Sequence, residues 1–263
     1  MLSDNHMLTT SNQNSTQLVA SSVSVNPRRL SVVLAVLALV IVLSGSAAHI
    51  VRHQVIADLD DPRADVLRRL DIVEEPSLSQ WFSSSLHLTV SFLTLGIGLS
   101  IGREMKLRWM GLAALFCYAS IDEAIMLHEM MDRPTKELLG TSGFLSIAWI
   151  IPGSCFALVI AIAYLSFLRR LRFGTAVMFV VSGVVFLTGA ILMEIPGGYL
   201  YERYGFDSWH YIASYAVEEA LEMLGVILFI GALLAHIGDE CTRSKLTIRV
   251  SDVGATPCAG ASE

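Results

Sequence analysis

The sequence predicts an all-α membrane protein, a polytopic bundle of six transmembrane helices with both termini on the cytoplasmic side. Composition is the first reason, because 54% of the 263 residues are hydrophobic, 16% are charged and the mean hydropathy is +0.60. A soluble domain has charged side chains at about a quarter of its positions. The second reason is a series of apolar runs, each about as long as a bilayer-spanning helix. These runs are residues 30–51, 81–101, 109–131, 144–168, 173–195 and 211–237.

Charge and cysteine content exclude several other classes of protein. The formal net charge is −6 and the basic residues form no cluster, so the sequence predicts no nucleic-acid partner. The four cysteines are scattered without a Cys-x-x-Cys pair, which argues against a disulfide framework and against a thiolate zinc site. The sequence also lacks a Gly-rich phosphate loop, a Gly-x-Ser-x-Gly motif and a His-Glu-x-x-His motif.

The chain begins with a polar segment, residues 1–29, which is predicted to be disordered and cytoplasmic. The first apolar run follows Arg28 and Arg29 and also has features of a signal peptide, since the small residues at 46–48 offer a cleavage site. An uncleaved span is the favoured interpretation, because apolar character resumes at Ile50 and a leader of this length would be unusual.

A polar insert, residues 52–80, separates the first two apolar runs. Pro62 follows two aspartates, which is typical of the first turn of a helix. The next apolar residues space as one helical face: Val66, Leu67, Leu70 and Val73. We therefore predict a short amphipathic helix at the membrane surface. The transmembrane domain is predicted to cover residues 30–237, and the polar residues 238–263 to form a loose cytoplasmic tail.

The distribution of basic residues predicts the orientation. With a cytoplasmic N-terminus, eleven of the 18 Lys and Arg residues lie on the inner side, in short loops and at the two termini. The other seven lie outside, and four of them belong to the insert 52–80, where acids outnumber them. Both termini are therefore predicted to be inside the cell.

Acidic residues interrupt two of the predicted spans, and neither span contains Lys or Arg. An ionised carboxylate at the centre of a span costs about 2.5–3.5 kcal/mol on insertion scales. The acids therefore need shared protons, a bound cation or a wet cavity. The six acids are Asp122, Glu123 and Glu129 in the third span, and Glu218, Glu219 and Glu222 in the sixth.

Helical geometry and the predicted orientation place these groups in the outer half of the membrane. On a continuous helix, Asp122 and Glu129 lie nearly above one another, while Glu123 and His128 flank that stripe on opposite sides. In the sixth span, Tyr215, Glu218 and Glu222 share a stripe with Tyr211. Small and polar residues of the second span, Ser84, His87, Ser91, Thr94 and Gly98, form a face suited to close helix packing. With these faces inward, the bundle would hold one polar pocket open to the outside.

Carboxylates and imidazole from facing helices suit a divalent metal ion, with Zn, Mn or Fe as the candidates. The predicted metal ligands are Asp122, His128, Glu129 and Glu222. Either Glu218 or Glu219 would act as general base, and the possible flanking residues are Glu123, His87, Glu194 and Tyr215. The spacing departs from a ferritin-like di-iron site, which uses Glu-x-x-His pairs.

The segments Trp81-Phe82-Ser83-Ser84, Asp122-Glu123-x4-His128-Glu129 and Glu218-Glu219-x2-Glu222-Met223-x-Gly225 carry a resemblance. They resemble a widespread group of uncharacterised bacterial multi-pass membrane proteins, over roughly residues 75–237. The resemblance implies a location in the bacterial inner membrane and supports the choice of the two acidic motifs. It implies no activity or substrate.

Three functions fit these features. The first is a membrane-embedded metalloenzyme that hydrolyses a lipid or lipid-linked substrate, with a metal-activated water as nucleophile. The second is a proton- or cation-coupled transporter that uses the acids as a relay. The third is a non-catalytic subunit of a membrane complex, in which protonated acids join the helices. The lipid bilayer is the one partner that the sequence indicates, and the substrate, the oligomeric state and whether the protein is an enzyme stay open.

Overall fold

A computed structural model describes residues 26–54 and 62–253, with side chains up to residue 240. The described residues are almost entirely helical and contain no strand, which confirms the all-α prediction. The α-helices are α1 Pro27–Gln54, α2 Pro62–Leu70, α3 Leu78–Ser100, α4 Arg103–Ile125, α5 Asp132–Leu139, α6 Ile150–Leu168, α7 Phe173–Leu187, α8 Glu194–Tyr204 and α9 Trp209–Val253.

Five helical segments within the described residues are long and apolar enough to cross a membrane. They are α1, α3, α6, the continuous segment Phe173–Tyr204 that joins α7 to α8, and α9. A sixth span results if α4 and the bent segment after it count as one crossing. The protein is therefore a helical multi-pass membrane protein, in agreement with the bundle predicted from the apolar runs.

Helix α9 lies at the centre of the bundle, in contact with α1, α3, α7 and α8. Its buried face is apolar over three turns, and Met223, Ile227 and Leu233 are at most 1% exposed. At Gly225 the two backbones approach closely, because a Cβ there would lie 2.6 Å from the backbone nitrogen of Phe186 on α7. Small residues allow such approach where lipid supplies no hydrophobic force between helices.

The most extensive helix pair is α3 with α4, and it uses the small polar face predicted for α3. The hydroxyl of Ser91 donates to the carbonyl oxygen of Ala113 over 2.8 Å. The hydroxyls of Ser84 and Ser120 each donate to the other residue's carbonyl oxygen, over 2.8 and 2.9 Å. These bonds hold α4, and with it the acidic residues at its end, against α3.

The third span is broken, so the prediction of a continuous helix through residue 131 is wrong. Helix α4 ends at Ile125, and Met126 adopts the left-handed conformation with φ 53°. A 3₁₀ turn and α5 follow, and their axis is bent by 74° from that of α4. The predicted positions of Asp122, Glu123, His128 and Glu129 around the helix assumed an unbroken helix, so those of His128 and Glu129 do not apply.

A π-helix, Thr188–Met193, joins α7 to α8. It contains Gly189, which packs directly on α9, since a Cβ there would lie 2.7 Å from Glu222 Cγ. π-Helical turns are rare and occur frequently at functional sites. This one sets the position of Glu194, the first residue of α8.

The segments outside the spans agree only partly with prediction. Helix α2 begins at Pro62, as its sequence indicates. Helix α9 continues to Val253, into the segment predicted to be a loose tail. The predictions for residues 1–25 and 254–263 lie outside the described residues.

Candidate functional site

Ionisable side chains from five parts of the chain meet at one end of the bundle, and we call them the acidic cluster. The linker between α2 and α3, α4, the turn after α4, α8 and α9 each contribute at least one group. Among the described residues, the principal charged neighbours of each member are other acids and histidine, not Lys or Arg. The members are Glu75, Glu123, His128, Glu194, Glu218, Glu219 and Glu222.

The acids of α9 form the floor of the acidic cluster. Glu219 accepts a hydrogen bond of 2.7 Å from the hydroxyl of Ser79 on α3, and Tyr215 lies within hydrogen-bond reach. Glu218 is 8% exposed, and its carboxylate packs on α8, where a Cβ at Gly197 would lie 3.7 Å from Oε2. Glu222 has Glu123 of α4 as its foremost charged neighbour. The sixth-span acids therefore face α3, α4 and α8 together.

Two buried hydroxyls border this floor without a hydrogen bond of good geometry. Ser83 lies against Glu123 and is 1% exposed. Ser214 is 7% exposed and faces the same glycine, Gly197, as Glu218. Buried hydroxyls normally find a partner, and Glu123 lies close enough to serve as that of Ser83.

His128 and Asp122 form a pair at the break after α4. Asp122 accepts the backbone N–H of His128 over 2.8 Å, and its second oxygen lies 3.0 Å from His128 Nδ1. The pair is partly exposed, with His128 28% and Asp122 20% accessible. The ring of His128 contacts Trp149, whose indole N–H donates to Glu194 over 3.1 Å. Because the carboxylate fixes Nδ1 as the donor, Nε2 carries the free lone pair.

Glu75 links the acidic cluster to the segment before α3. Burial raises the pKa of its carboxyl to about 7, and the charges of Glu129 and Glu219 add to this, against the opposing effect of His128. Glu75 therefore takes up a proton near neutral pH. It follows Asp71 by four residues, although the sequence prediction included neither residue in the site.

The structure brings most of the predicted site residues together and places Glu129 and His87 apart from them. Glu218, Glu219, Glu222 and His128 lie together with the flanking residues Glu123, Glu194 and Tyr215. Glu129 is exposed at the edge of the cluster. His87 is 2% exposed, its Nδ1 lies 3.0 Å from the carbonyl oxygen of Ser83, and Phe116 and Phe186 enclose its ring. Its position is that of a packed core histidine.

A second polar group, which sequence reasoning missed, lies beside the linker. One ligand atom each from His49, His53 and Asp71 falls within 4.8 Å of the others, a spacing compatible with a metal ion. This compact group contains none of the predicted ligands, whose metal binding stays a prediction. The i, i+4 spacing of the two histidines was the signal in the sequence, and Asp71 had no such signal.

Comparison with known proteins gives a family without an assigned activity. No match was found among curated proteins or among solved structures. A family model described as Domain of unknown function (DUF8692) matches residues 32–237, which include both acidic motifs, five of the predicted spans and all but the first two residues of the sixth, at 30–51. This match covers most of the sequence, and the chain therefore belongs to that family.

Proposed function

We propose that this protein is a bacterial inner-membrane metalloenzyme that hydrolyses a lipid or lipid-linked substrate at the acidic cluster. The observation that carries the proposal is the meeting of six carboxyls and one imidazole from separate elements, without a nearby cation among the described residues. A divalent ion would compensate this charge, and Zn, Mn and Fe accept such mixed ligands.

The side chains divide into three roles. Glu123, Glu219 and Glu222 offer oxygens from facing helices, and His128 offers Nε2 at the edge. Asp122 positions His128, because both of its oxygens already contact that residue. This changes the role assigned to Asp122 from ligand to positioning residue.

Glu218 is suited to the general base, since it lies one helical turn from Glu222 on α9 and its carboxylate packs on Gly197 of α8. A bound metal would lower the pKa of a coordinated water. Glu218 would accept the proton of that water, and Ser214 would hold the water in place. The Glu218 carboxylate packs on Gly197, where a Cβ would lie at an ordinary contact distance of 3.7 Å from Oε2.

Access to the acidic cluster favours a lipid substrate. Apolar side chains close in sequence to the His128–Asp122 pair are exposed, with Ile121 48%, Ile125 57% and Met130 70% accessible. A soluble substrate would meet an unfavourable apolar border there, whereas an acyl chain would gain contact. With the predicted orientation this opening lies in the outer leaflet.

The geometry favours an enzyme over a transmembrane relay. Beyond Glu222 the inward face of α9 continues with apolar residues, among them Val226 and Ile230, both 2% exposed. These residues belong to the main apolar core, packed by α3, α4 and α7. A proton or cation path would need polar groups along this stretch.

Metal analysis of the full chain purified in detergent tests the proposal. We expect Glu222→Gln and His128→Ala each to bind one equivalent of metal fewer than the wild type. Glu137→Gln is the matched control, because Glu137 is 67% exposed and pairs with Arg133 outside the cluster. Equal metal in wild type and Glu222→Gln would overturn metal binding at the cluster.

A further inference from the structure

We propose that His49, His53 and Asp207, with Asp71 as the supporting carboxylate, form a second metal site, which binds a divalent transition-metal ion such as Zn²⁺. The site lies at the end of α1, outside the acidic cluster, and the inference is independent of the function proposed there. Its ligands come from α1 and from the loop between α8 and α9, and the supporting carboxylate comes from the linker after α2.

The two histidines form one face of the site. They are separated by one helical turn, and their rings stack with centroids 4.5 Å apart. The Nε2 atom of His49 is buried without a hydrogen-bond partner. His49 is 0% exposed. A buried ring nitrogen without a partner is costly unless it has a ligand.

Asp71 holds His49 in the form that binds metals. Its Oδ1 lies 2.9 Å from His49 Nδ1 and also accepts the backbone N–H of Val73 over 3.0 Å. With the proton on Nδ1, the Nε2 of His49 keeps its lone pair. This carboxylate–histidine arrangement is the usual support of a metal-binding imidazole. Burial would raise the pKa of Asp71, but hydrogen bonds from His49, Val73 and Arg52 keep it below its ordinary value.

Asp207 completes the set from the opposite side. Its Oδ1 lies 3.1 Å from His53 Nδ1 and 3.7 Å from His49 Nε2. Ligand atoms around a tetrahedral zinc with bonds of about 2.1 Å lie about 3.4 Å from each other. Both distances from Asp207 are therefore within about 0.3 Å of that separation. The ring of Phe206, next to Asp207, packs on both histidines and covers the site.

Charge also favours a divalent cation. Arg52 is the cation beside the group, and it is bound to both Asp71 and Glu74, over 3.1 and 2.7 Å. With neutral histidines, three carboxylates and one guanidinium leave a net charge of −2. A divalent ion would neutralise this charge, whereas protonation of both histidines would bring two cationic rings together.

Zinc binding to the detergent-purified full chain tests the proposal, with bound Zn²⁺ counted after dialysis against a zinc buffer. We expect His53→Gln and Asp207→Asn each to lose one zinc per chain. Asp207 is 63% exposed, so Asp207→Asn should fold normally even if a histidine variant does not. His210→Gln is the matched control, since His210 stacks on Trp209 and Tyr204 outside the site.

The outcome is separable from that at the acidic cluster. Glu222→Gln should keep the zinc that Asp207→Asn loses. Zinc should also raise the unfolding temperature of the wild type, and raise it less in Asp207→Asn, because a ligand of the native state stabilises it. Zinc counts that are equal in wild type, His53→Gln and Asp207→Asn would overturn the site, and so would an equal loss in His210→Gln.

Discussion

Replacing Gly189 with alanine should force α9 away from the π-helix and destabilise the protein. The new Cβ would lie 2.7 Å from Glu222 Cγ, 2.8 Å from the carbonyl oxygen of Glu218 and 2.9 Å from the backbone nitrogen of Glu222. Two of these atoms are backbone, so rotation of a side chain cannot relieve the clash. Ordinary contact begins at 3.4 Å, so the two helices must separate by about 0.7 Å.

Overpacking of this kind costs about 1–3 kcal/mol. For a chain of this size, 1 kcal/mol changes the unfolding temperature by about 2–4 °C. We therefore expect Gly189→Ala to unfold about 2–12 °C below the wild type in a thermal scan in detergent. Bound metal should fall in parallel, since the displaced segment carries Glu218 and Glu222.

Gly183 provides the matched control, because it lies on α7 and a Cβ there would meet no atom within 4 Å. Gly183→Ala should be neutral or stabilising by up to about 1 kcal/mol, since alanine favours helix over glycine. An unfolding temperature for Gly189→Ala at or above that of the wild type would refute the close approach. A similar loss in both variants would attribute the effect to glycine replacement in general.

Two further substitutions test the acids. The pKa of Glu75 is raised from 4.5 to about 7 in the folded state, so between these pH values the folded protein binds a proton that the unfolded chain has lost. The contribution of this proton to stability is therefore complete below pH 4.5 and disappears as the pH rises through 7. This shift in pKa corresponds to about 3 kcal/mol in the free energy of unfolding, which solvent screening reduces to about 1–2 kcal/mol. Denaturant titrations should show the stabilities of wild type and Glu75→Gln diverging by this amount between pH 4.5 and 7. A stability difference that does not change with pH would contradict the assignment. Asp122→Ala leaves the backbone N–H of His128 without its acceptor and should cost about 1–3 kcal/mol, whereas Asp122→Asn keeps an acceptor oxygen and should cost less. Equal unfolding temperatures for these two Asp122 variants would show that the bond does not support the break.

The fold was predictable because lipid imposes a simple rule on the sequence. A span must be apolar over about 20 residues, and the runs at 81–101 and 211–237 coincide closely with α3 and the apolar part of α9. The polar face of α3 was visible for a related reason. Serine and glycine at helical spacing predict a face on which another helix packs, and α4 packs on this face of α3.

The break in the third span was not predictable from local sequence. The apolar run continues through Met131, and neither glycine nor proline marks the end of α4. Met126 occupies a left-handed conformation that costs a residue with a Cβ about 1–2 kcal/mol. Tertiary contacts offset this cost, since Asp122 accepts two bonds from His128 across the break. Helical periodicity therefore does not apply to His128 and Glu129, which lie beyond the break.

The π-helix and the second polar group were missed for other reasons. The segment Thr188–Met193 is apolar, and its sequence predicts an ordinary α-helix. The wider π-helical turn results from packing against α9, which the amino-acid composition of the segment does not indicate. The histidines at 49 and 53 were visible as one face of α1. Their partners Asp71 and Asp207 are distant in sequence, and each is an unremarkable polar residue of a linker or loop.

The linker before α3 connects the two candidate sites physically. Asp71 belongs to the site at the end of α1, and Glu75, four residues later, belongs to the acidic cluster. Ile72, between them, is 1% exposed and packs against Gly45, where a Cβ would lie 3.0 Å from the Ile72 Cβ. The linker is anchored by this contact and by the hydrogen bond that the Ser77 hydroxyl accepts from the backbone N–H of Gln80 in α3. Loss of a ligand at Asp207 should therefore leave Glu75 in place. The two sites then bind independently, and metal counts from variants of each should add.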